Sequence, residues 1–396
     1  MCMVRGRPSM VVKRALRTWR WVCVGRGSMP QPVEGSRRPL PNWSRGLLTP
    51  PPSWFLERAT LIVPMMTFSA SWPCASTPEA DLSPHTFMRV GGRVEWFLEP
   101  TTPEELRSAV NACRERGLAP RILGGGANLI IADGILPGVV IGTGRMNRLF
   151  RIWPAVDGEG SSDQEQDPSA WSAEPSGRVA PADPALDPRL VGWAGTTLPS
   201  LVRAARDLGY GGIEGVVGIP GHLGGGVAMN AGGHWGELWD HIELVRVIDE
   251  EGEFLDLTPE QVQPGYRNGN LGTRVVAAAI LHFEPAPKAL IEQRMREILR
   301  EKNAVQPVSE RSAGCVFKNP DLEVSGGRGA GRLVDDCGLK GRSIGDAMVS
   351  PLHGNFVVNR GAARATDVLA LIEEVRAEVA QQTGIELELE VKRWLD

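Results

Sequence analysis

Residues 215–233 read Gly-Val-Val-Gly-Ile-Pro-Gly-His-Leu-Gly-Gly-Gly-Val-Ala-Met-Asn-Ala-Gly-Gly. Glycine lets the backbone lie directly against a ligand, but in a helix or strand interior it costs roughly 0.5–1 kcal/mol relative to alanine. A glycine density this far above any turn requirement predicts a surface where backbone meets a large flat ligand, whose binding offsets that cost. A second segment lies upstream. Residues 121–131, Arg-Ile-Leu-Gly-Gly-Gly-Ala-Asn-Leu-Ile-Ile, read as a strand, a three-glycine turn and another apolar run. Consecutive glycines permit positive φ and let N–H groups cradle a pyrophosphate. The spacing is neither GxGxxG nor that of a Walker loop, and no Gly-Lys-Ser/Thr follows, which argues against a Rossmann fold. Taken alone, this segment suits a ligand-free hairpin turn equally well.

Around these segments short apolar strands alternate with amphipathic helices, an α/β or α+β pattern. Residues 103–116 are expected to be a helix, with Thr102 as N-cap, Pro103 at the first position, Glu104 and Glu105 favouring the dipole, and Gly117 as the stop. Residues 197–208 before Gly209, 287–302 with Pro287 at the first position, and 365–383 before Gly384 read the same way. Beyond Gly384, Ile385, Leu387, Leu389 and Val391 alternate with Glu386, Glu388 and Glu390, so a strand is expected with its three acids on one face.

A chain of 396 residues, 42% of them hydrophobic, is large enough for two or three packed domains. A formal charge of −4 provides no basic field for nucleic acid. Its six cysteines (Cys2, Cys23, Cys74, Cys113, Cys315 and Cys337) have no CxxC spacing, and its six histidines have no metal-ligand spacing. Neither a disulfide framework nor a metal site is expected, and reduced thiols fit a cytoplasmic enzyme. No apolar run reaches the ~20 residues that cross a bilayer, and Arg20 interrupts the one candidate secretory segment. Residues 1–79 are arginine-rich and aperiodic, and read as a disordered extension or a misplaced start, Met65 and Met66 being alternatives. Residues 153–188 hold many acids and one basic residue, Arg178. They are expected to be a disordered surface insertion lengthening a hairpin loop between strands at Val139–Ile141 and Leu190–Trp193.

The glycine segments resemble those of the UDP-N-acetylenolpyruvoylglucosamine reductase family. Leu123, Gly124, Gly125, Gly126, Ala127, Asn128 and Leu129 are similar to its first flavin-phosphate loop. Gly218, Ile219, Pro220 and Gly221, with Gly224, Gly225, Met229, Asn230, Ala231 and Gly232, are similar to its second. Residues 86–92, Thr-Phe-Met-Arg-Val-Gly-Gly, resemble its opening motif. Residues 312–320, Ser-Ala-Gly-Cys-Val-Phe-Lys-Asn-Pro, residues 330–341 and residues 350–359 resemble its substrate-side motifs. Leu387-Glu-Leu-Glu-Val resembles its closing Leu-Glu-Pro-Glu-Val, with Leu389 in place of proline.

That resemblance implies an α+β architecture: a two-part FAD-binding domain of the vanillyl-alcohol-oxidase/PCMH type over 80–285 and a C-terminal α+β substrate-binding domain over 286–396. It implies non-covalent FAD, NADPH as reductant and a UDP-sugar substrate. NADPH would reduce the flavin, which passes hydride to the enolpyruvyl vinyl carbon and yields UDP-N-acetylmuramate, without metal. Charge building on the carboxylate side needs stabilising before C2 takes a proton.

For these tasks the resemblance points to Arg267 on the substrate carboxylate, Glu390 assisting it, and Cys315 as proton donor where the family usually has serine. A guanidinium stays charged at any working pH, and an ordinary thiol pKa of about 8.5 lies nearer working pH than a serine hydroxyl. Spacing alone leaves Glu386, Glu388 and Glu390 equally eligible; the motif register selects Glu390. Tyr266, Lys318 and Asn319 are expected at the substrate, with a packing role for Tyr266 equally open, and His222 is read as a loop residue. The short stretch from Arg267 to Cys315 resembles the compact family form, without a substrate-covering insertion. Another flavin oxidase or dehydrogenase of this fold would explain the glycines but not 317–320, 338–341 and Glu390 together. A non-catalytic flavin or nucleotide-sugar binding protein would leave Arg267, Glu390 and Cys315 without purpose.

Overall fold

The computed structural model describes residues 71–151 and 187–395, all within one compact unit, Ser69–Asp396. Residues 1–70, with Met65 and Met66, and nearly all of the acidic insertion lie outside the described residues.

Local sequence signals set the helices. In Pro103–Glu115 the Thr102 side chain accepts from the Glu105 N–H, and Gly117 turns away with φ +67°. Leu198–Leu208 is capped by Thr197 and ends on Gly209 at φ 72°. Ala365–Thr383 ends on Gly384 at φ 71°. The helix expected from Pro287 spans Lys288–Val305, with Pro287 as N-cap rather than first helical residue. A helix not foreseen, Leu223–Met229, runs through the densest glycine segment. It tolerates glycine because close packing requires it there: a Cβ on Gly224 would meet Ala194 Cβ at 2.9 Å, and one on Gly226 would meet Leu238 Cδ2 at 3.0 Å.

Two sheets build the first part of the unit. A four-stranded sheet orders Ala75–Asp81, Arg93–Glu99, Ile135–Gly142 and Arg121–Leu123. Its first pair is antiparallel and the remainder parallel. The fold thus begins before residue 80, the expected boundary. Ala75–Asp81 is an edge strand with almost every residue exposed, so no hydrophobic alternation betrays it. The second, five-stranded antiparallel sheet orders Phe254–Leu257, Ile242–Ile248, Val275–His282, Arg189–Trp193 and Leu149–Arg151. The insertion therefore does link a hairpin, but the partner of Arg189–Trp193 is the three-residue Leu149–Arg151, with Phe150 opposite Val191. Val139–Ile141 belongs to the other sheet. A three-residue strand is too short for its periodicity to be read.

The C-terminal part is a four-stranded antiparallel sheet of Ser312–Cys315, Phe356–Asn359, Ala347–Val349 and Ser343–Ile344. Ala365–Thr383 buries Val368, Leu371, Ile372, Val375 and Val379 in the same apolar cluster as Val349 and Val357. Met88, Val90 and Ile130 join that cluster from the N-terminal part, and Lys392–Trp394 pairs in parallel with Leu129–Ile131. Lys288–Val305 packs the other way: Ile291 and Met295 belong to the cluster built by Leu198, Leu201, Tyr210 and Phe283. By packing, this helix sides with the N-terminal part although it follows residue 286. Among the described residues no helix is long and apolar enough to cross a membrane, and no group of three or more His, Cys, Asp or Glu side chains could hold a metal ion.

Candidate active site

The two glycine segments face each other. A Cβ on Gly125 would sit 2.7 Å from Gly221 Cα, and one on Gly124 would sit 3.8 Å from Gly225 N. Of residues 224–226 only Gly225 is exposed, with nothing near its missing side chain. Gly126 holds φ +59°, and a Cβ there would strike His85 O at 2.3 Å. Positive φ thus falls on Gly126, while Gly125 is needed for the close approach of the two loops. Between these walls and the Arg93–Glu99 strand opens a cavity of about 230 Å³, lined by Gly124, Gly125, Gly142, Gly144, Phe97 and Glu99 among others. Such a glycine-walled cradle, which side chains at 124 or 125 would fill or narrow, suits the phosphates of a dinucleotide cofactor.

Ile219 and residues 230–232 of the second segment make contacts within the protein. Ile219 and Ala231 pack on the core. Asn230, buried and at φ 45°, caps Leu223–Met229. Its Nδ2 donates to Glu237 Oε2 at 2.6 Å and to Gly265 O at 3.1 Å. A Cβ on Gly232 would meet Glu237 Cα at 2.5 Å. Residues 230–232 therefore position Glu237 and the turn at Gly265–Asn268 and do not line the glycine-walled cavity.

That turn carries Arg267. Gly265 and Asn268 exchange backbone hydrogen bonds of 2.8 and 3.1 Å, leaving Tyr266 and Arg267 at the tip. Arg267 adopts φ +54°, a left-handed conformation that non-glycine residues rarely hold and that favours a functional explanation. Its guanidinium stacks 4.9 Å from the Tyr266 ring centroid and donates through Nε to Glu390 Oε1 at 2.9 Å. Glu237 approaches Nη1 only to 3.9 Å. Buried Nη1 has no hydrogen-bond partner. A buried guanidinium nitrogen left unsatisfied is costly, and it suits a carboxylate arriving from outside. Glu237 was not legible from the sequence; its only signal is its place after the second glycine segment.

The closing segment decides between the three acids. Residues 385–391 are extended but paired only at the Phe317–Leu389 bridge, so the expected strand is largely missing. Glu386 and Glu388 are exposed, and Glu388 binds Lys318 Nζ at 2.5 Å. The Glu390 side chain is 12% exposed. Its N–H donates to Val316 O at 2.8 Å and its carbonyl accepts from Asn128 Nδ2 at 3.2 Å. The three acids thus do not share one environment. Asn128, from the first glycine loop, also accepts the Lys392 N–H through its carbonyl at 3.1 Å, which joins that loop to the acid. Burial raises the Glu390 pKa, with Arg267 opposing.

Cys315 lies on Ser312–Cys315, one residue before the carbonyl that fixes Glu390. Its neighbour Gly314 holds φ +74°, and a Cβ there would lie 3.9 Å from Ala127 O in the first loop. Burial, reinforced by the Glu390 carboxylate and opposed by Arg267, pushes the thiol up to about 12. The expected ordinary value near 8.5 is therefore corrected: the proton is held firmly, not poised near working pH. Partial burial, with the Glu390 carboxylate nearby, raises the pKa of the Tyr266 hydroxyl. Asn319 Oδ1 is committed to the Ala330 N–H at 3.0 Å, as a cap for Ala330–Asp336. Arg267, Glu390, Cys315 and Tyr266 are brought together, whereas the side chains of Lys318 and Asn319 are engaged within the protein.

Residues 94–156 and 185–258 match the FAD binding domain family, and residues 306–394 match the UDP-N-acetylenolpyruvoylglucosamine reductase C-terminal domain family. Similar proteins include UDP-N-acetylenolpyruvoylglucosamine reductase 2 of Symbiobacterium thermophilum, 36% identical over 79% of this chain and 90% of its own length. The reductase of Deinococcus radiodurans is 35% identical over 81% of this chain and 96% of its own. The crystal structure of the enzyme from Thermus caldophilus superposes with a TM-score of 0.60 at 34% identity, covering 81% of this chain and 98% of that one. The fold is accordingly an FAD-binding domain of the vanillyl-alcohol-oxidase/PCMH type joined to an α+β C-terminal domain. The chain belongs to the UDP-N-acetylenolpyruvoylglucosamine reductase family.

Proposed function

We propose that this chain reduces the enolpyruvyl group of UDP-N-acetylglucosamine enolpyruvate to the lactyl group of UDP-N-acetylmuramate, with FAD as cofactor and NADPH as reductant, in peptidoglycan precursor synthesis. The observation that carries this reading is Arg267: ion-paired to Glu390 through Nε, strained in its backbone, and left with buried Nη1 unsatisfied. When bound, FAD would supply two-electron chemistry that couples oxidation of NADPH to reduction at C3 of the substrate. The walls at Gly124 and Gly125 would hold the cofactor's phosphates through backbone, with no covalent attachment required.

The protein's own residues handle the charge. Arg267 Nη1 donates to the substrate carboxylate, onto which negative charge moves as C3 gains hydride. Glu390 holds the guanidinium in place through its carboxylate, and its backbone is anchored by Asn128 and Val316. Cys315 then gives its proton to C2. Its thiol is a weaker acid than an ordinary cysteine, but the proton is present throughout the working range, and an electron-rich carbon centre draws it. Hydride at C3 and proton at C2 together complete addition across the double bond. Tyr266, 53% exposed beside Arg267, borders the sugar nucleotide in this reading, while Lys318 and Asn319 brace the wall behind it through Glu388 and Ala330. The enzyme is read as cytoplasmic, where its nucleotide substrates occur. Purified protein should be yellow and should oxidise NADPH faster when the enolpyruvyl sugar nucleotide is added. A colourless protein, or NADPH oxidation indifferent to that substrate, would overturn the reading.

A further inference from the structure

His222 follows Gly221 and stands at the N-cap of Leu223–Met229, yet its side chain makes no capping hydrogen bond. N-caps are usually Ser, Thr, Asp or Asn because their short side chains satisfy a helix N–H. The imidazole instead reaches across to the first glycine loop. A Cβ on Gly125 would come within 3.2 Å of its Cδ2, and one on Gly144 within 3.5 Å of its Cε1. The ring thus lies in the glycine-walled cavity, and its Nδ1 is buried without a hydrogen-bond partner. An orphaned imidazole nitrogen costs free energy unless a ligand supplies it with a partner.

Charge in the cavity is the second observation. Among the described residues neither lysine nor arginine lines it; the histidines His85 and His222 do, and Glu99 adds a carboxylate. On the adjoining elements, Arg121 directs Nη1 to Pro137 O, and exposed Arg145 ends the turn that carries Gly144. A diphosphate entering this space brings negative charge, and backbone N–H groups offer only partial compensation. We propose that His222 is the proton-accepting contact of the cofactor diphosphate, so that flavin capture takes up a proton. The inference rests on the reading of the cavity as the flavin-phosphate site.

Burial lowers the imidazole pKa, below the ordinary value of about 6.5. A bound diphosphate raises it. Between those two values one proton is taken up for each FAD bound, and linkage makes Kd rise about tenfold per pH unit. His85 stacks on Phe97, with ring centroids 4.6 Å apart, and is the internal comparison.

The test uses the full chain freed of flavin and titrated with FAD by fluorescence quenching across about pH 5.5 to 8.5. ADP serves as a diphosphate probe, and proton uptake is measured by calorimetry in buffers of different ionisation enthalpy. The wild type should lose FAD and ADP affinity about tenfold per pH unit over part of this range and take up close to one proton. His222→Gln should flatten both responses and bind FAD more weakly at the acid end, with an unchanged circular dichroism spectrum. His222→Asn, with a shorter amide, should behave alike, and His85→Gln should keep the slope. A His222→Gln protein with the wild-type slope and proton uptake would overturn the inference. Gly125→Val separates it from the underlying reading: full FAD affinity in that variant removes the cavity as the phosphate site. Loss of affinity there, with an undiminished slope in His222→Gln, overturns only the role of His222.

Discussion

Arg267 Nε meets Glu390 Oε1 at 2.9 Å across 123 positions of sequence, and this contact helps to join the two halves of the chain at the proposed reaction centre. The ion pair is largely buried, with side-chain exposures of 18% and 12%. Removing one member of such a pair is more damaging than the net worth of the pair, because the other charge is left uncompensated.

The first prediction follows from Glu390. Its raised pKa puts the acid limb of substrate reduction above the ordinary glutamate value of about 4.3. Below that limb a protonated Glu390 no longer fixes Arg267. Glu390→Gln should remove the limb and lower turnover of the enolpyruvyl substrate by roughly 10²-fold or more, while NADPH still bleaches the flavin at near the wild-type rate. A pH profile of each half-reaction by rapid mixing checks both statements. An unaltered acid limb in the variant would assign it to another group.

Cys315→Ala should also spare flavin reduction and lower substrate reduction, by at least the ~10²-fold typical of a lost general acid. Cys315→Ser should keep substantial activity. Because the thiol holds its proton up to about 12, wild-type substrate reduction should show no alkaline limb from Cys315 below about pH 10, which the same rapid-mixing profile measures. An alanine variant with wild-type substrate turnover would reduce Cys315 to a packing residue.

Asn128 divides cofactor binding from positioning. Its side chain faces the Glu390 carbonyl, so Asn128→Ala should cost about 0.5–1.5 kcal/mol of stability, the usual range for one hydrogen bond. It should slow substrate reduction more than it weakens FAD binding. Denaturant melts and flavin titration of the same preparation distinguish the effects. A large loss of FAD affinity with unchanged stability would put the side chain on the cofactor.

Particular residues show what sequence could reveal. Thr102, Thr197, Gly209 and Gly384 fixed helix ends because capping is local chemistry. The glycine segments announced a backbone-lined cradle for the same reason. The edge strand Ala75–Asp81 and the three-residue Leu149–Arg151 were silent, since neither carries an alternating pattern. Period-two spacing put Glu386, Glu388 and Glu390 on one face, but only the long-range contacts of Arg267, Asn128 and Val316 make Glu390 differ. Glu237 and the orphaned nitrogens of Arg267 and His222 are products of tertiary packing and have no local signature.

Lys302 supplies a prediction about stability. It is 5% exposed on the Lys288–Val305 helix. Its Nζ donates to Gly215 O at 3.1 Å and Val217 O at 2.6 Å, and lies 5.0 Å from the Trp235 ring centroid. It thereby ties that helix to the backbone entering Gly218-Ile-Pro-Gly. Burial lowers its pKa to about 8, against an ordinary value of about 10.4. Below pH 8 both folded and unfolded states carry the proton, and the cost of burying the charge applies in full. Between about 8 and 10.4 the folded state releases the proton while the unfolded state keeps it, so stability rises with pH through this window. At about 1.36 kcal/mol per pKa unit the gain is at most about 3 kcal/mol. Lys302→Met keeps most of the apolar stem and cannot titrate. Denaturant midpoints at pH 7, 8, 9 and 10 should therefore move in favour of the wild type, relative to the variant, as pH increases. The variant should also bind FAD more weakly at every pH, because two carbonyls before the second glycine loop lose their donor. Parallel pH dependences of the two proteins would mean that Lys302 is not buried as a charge.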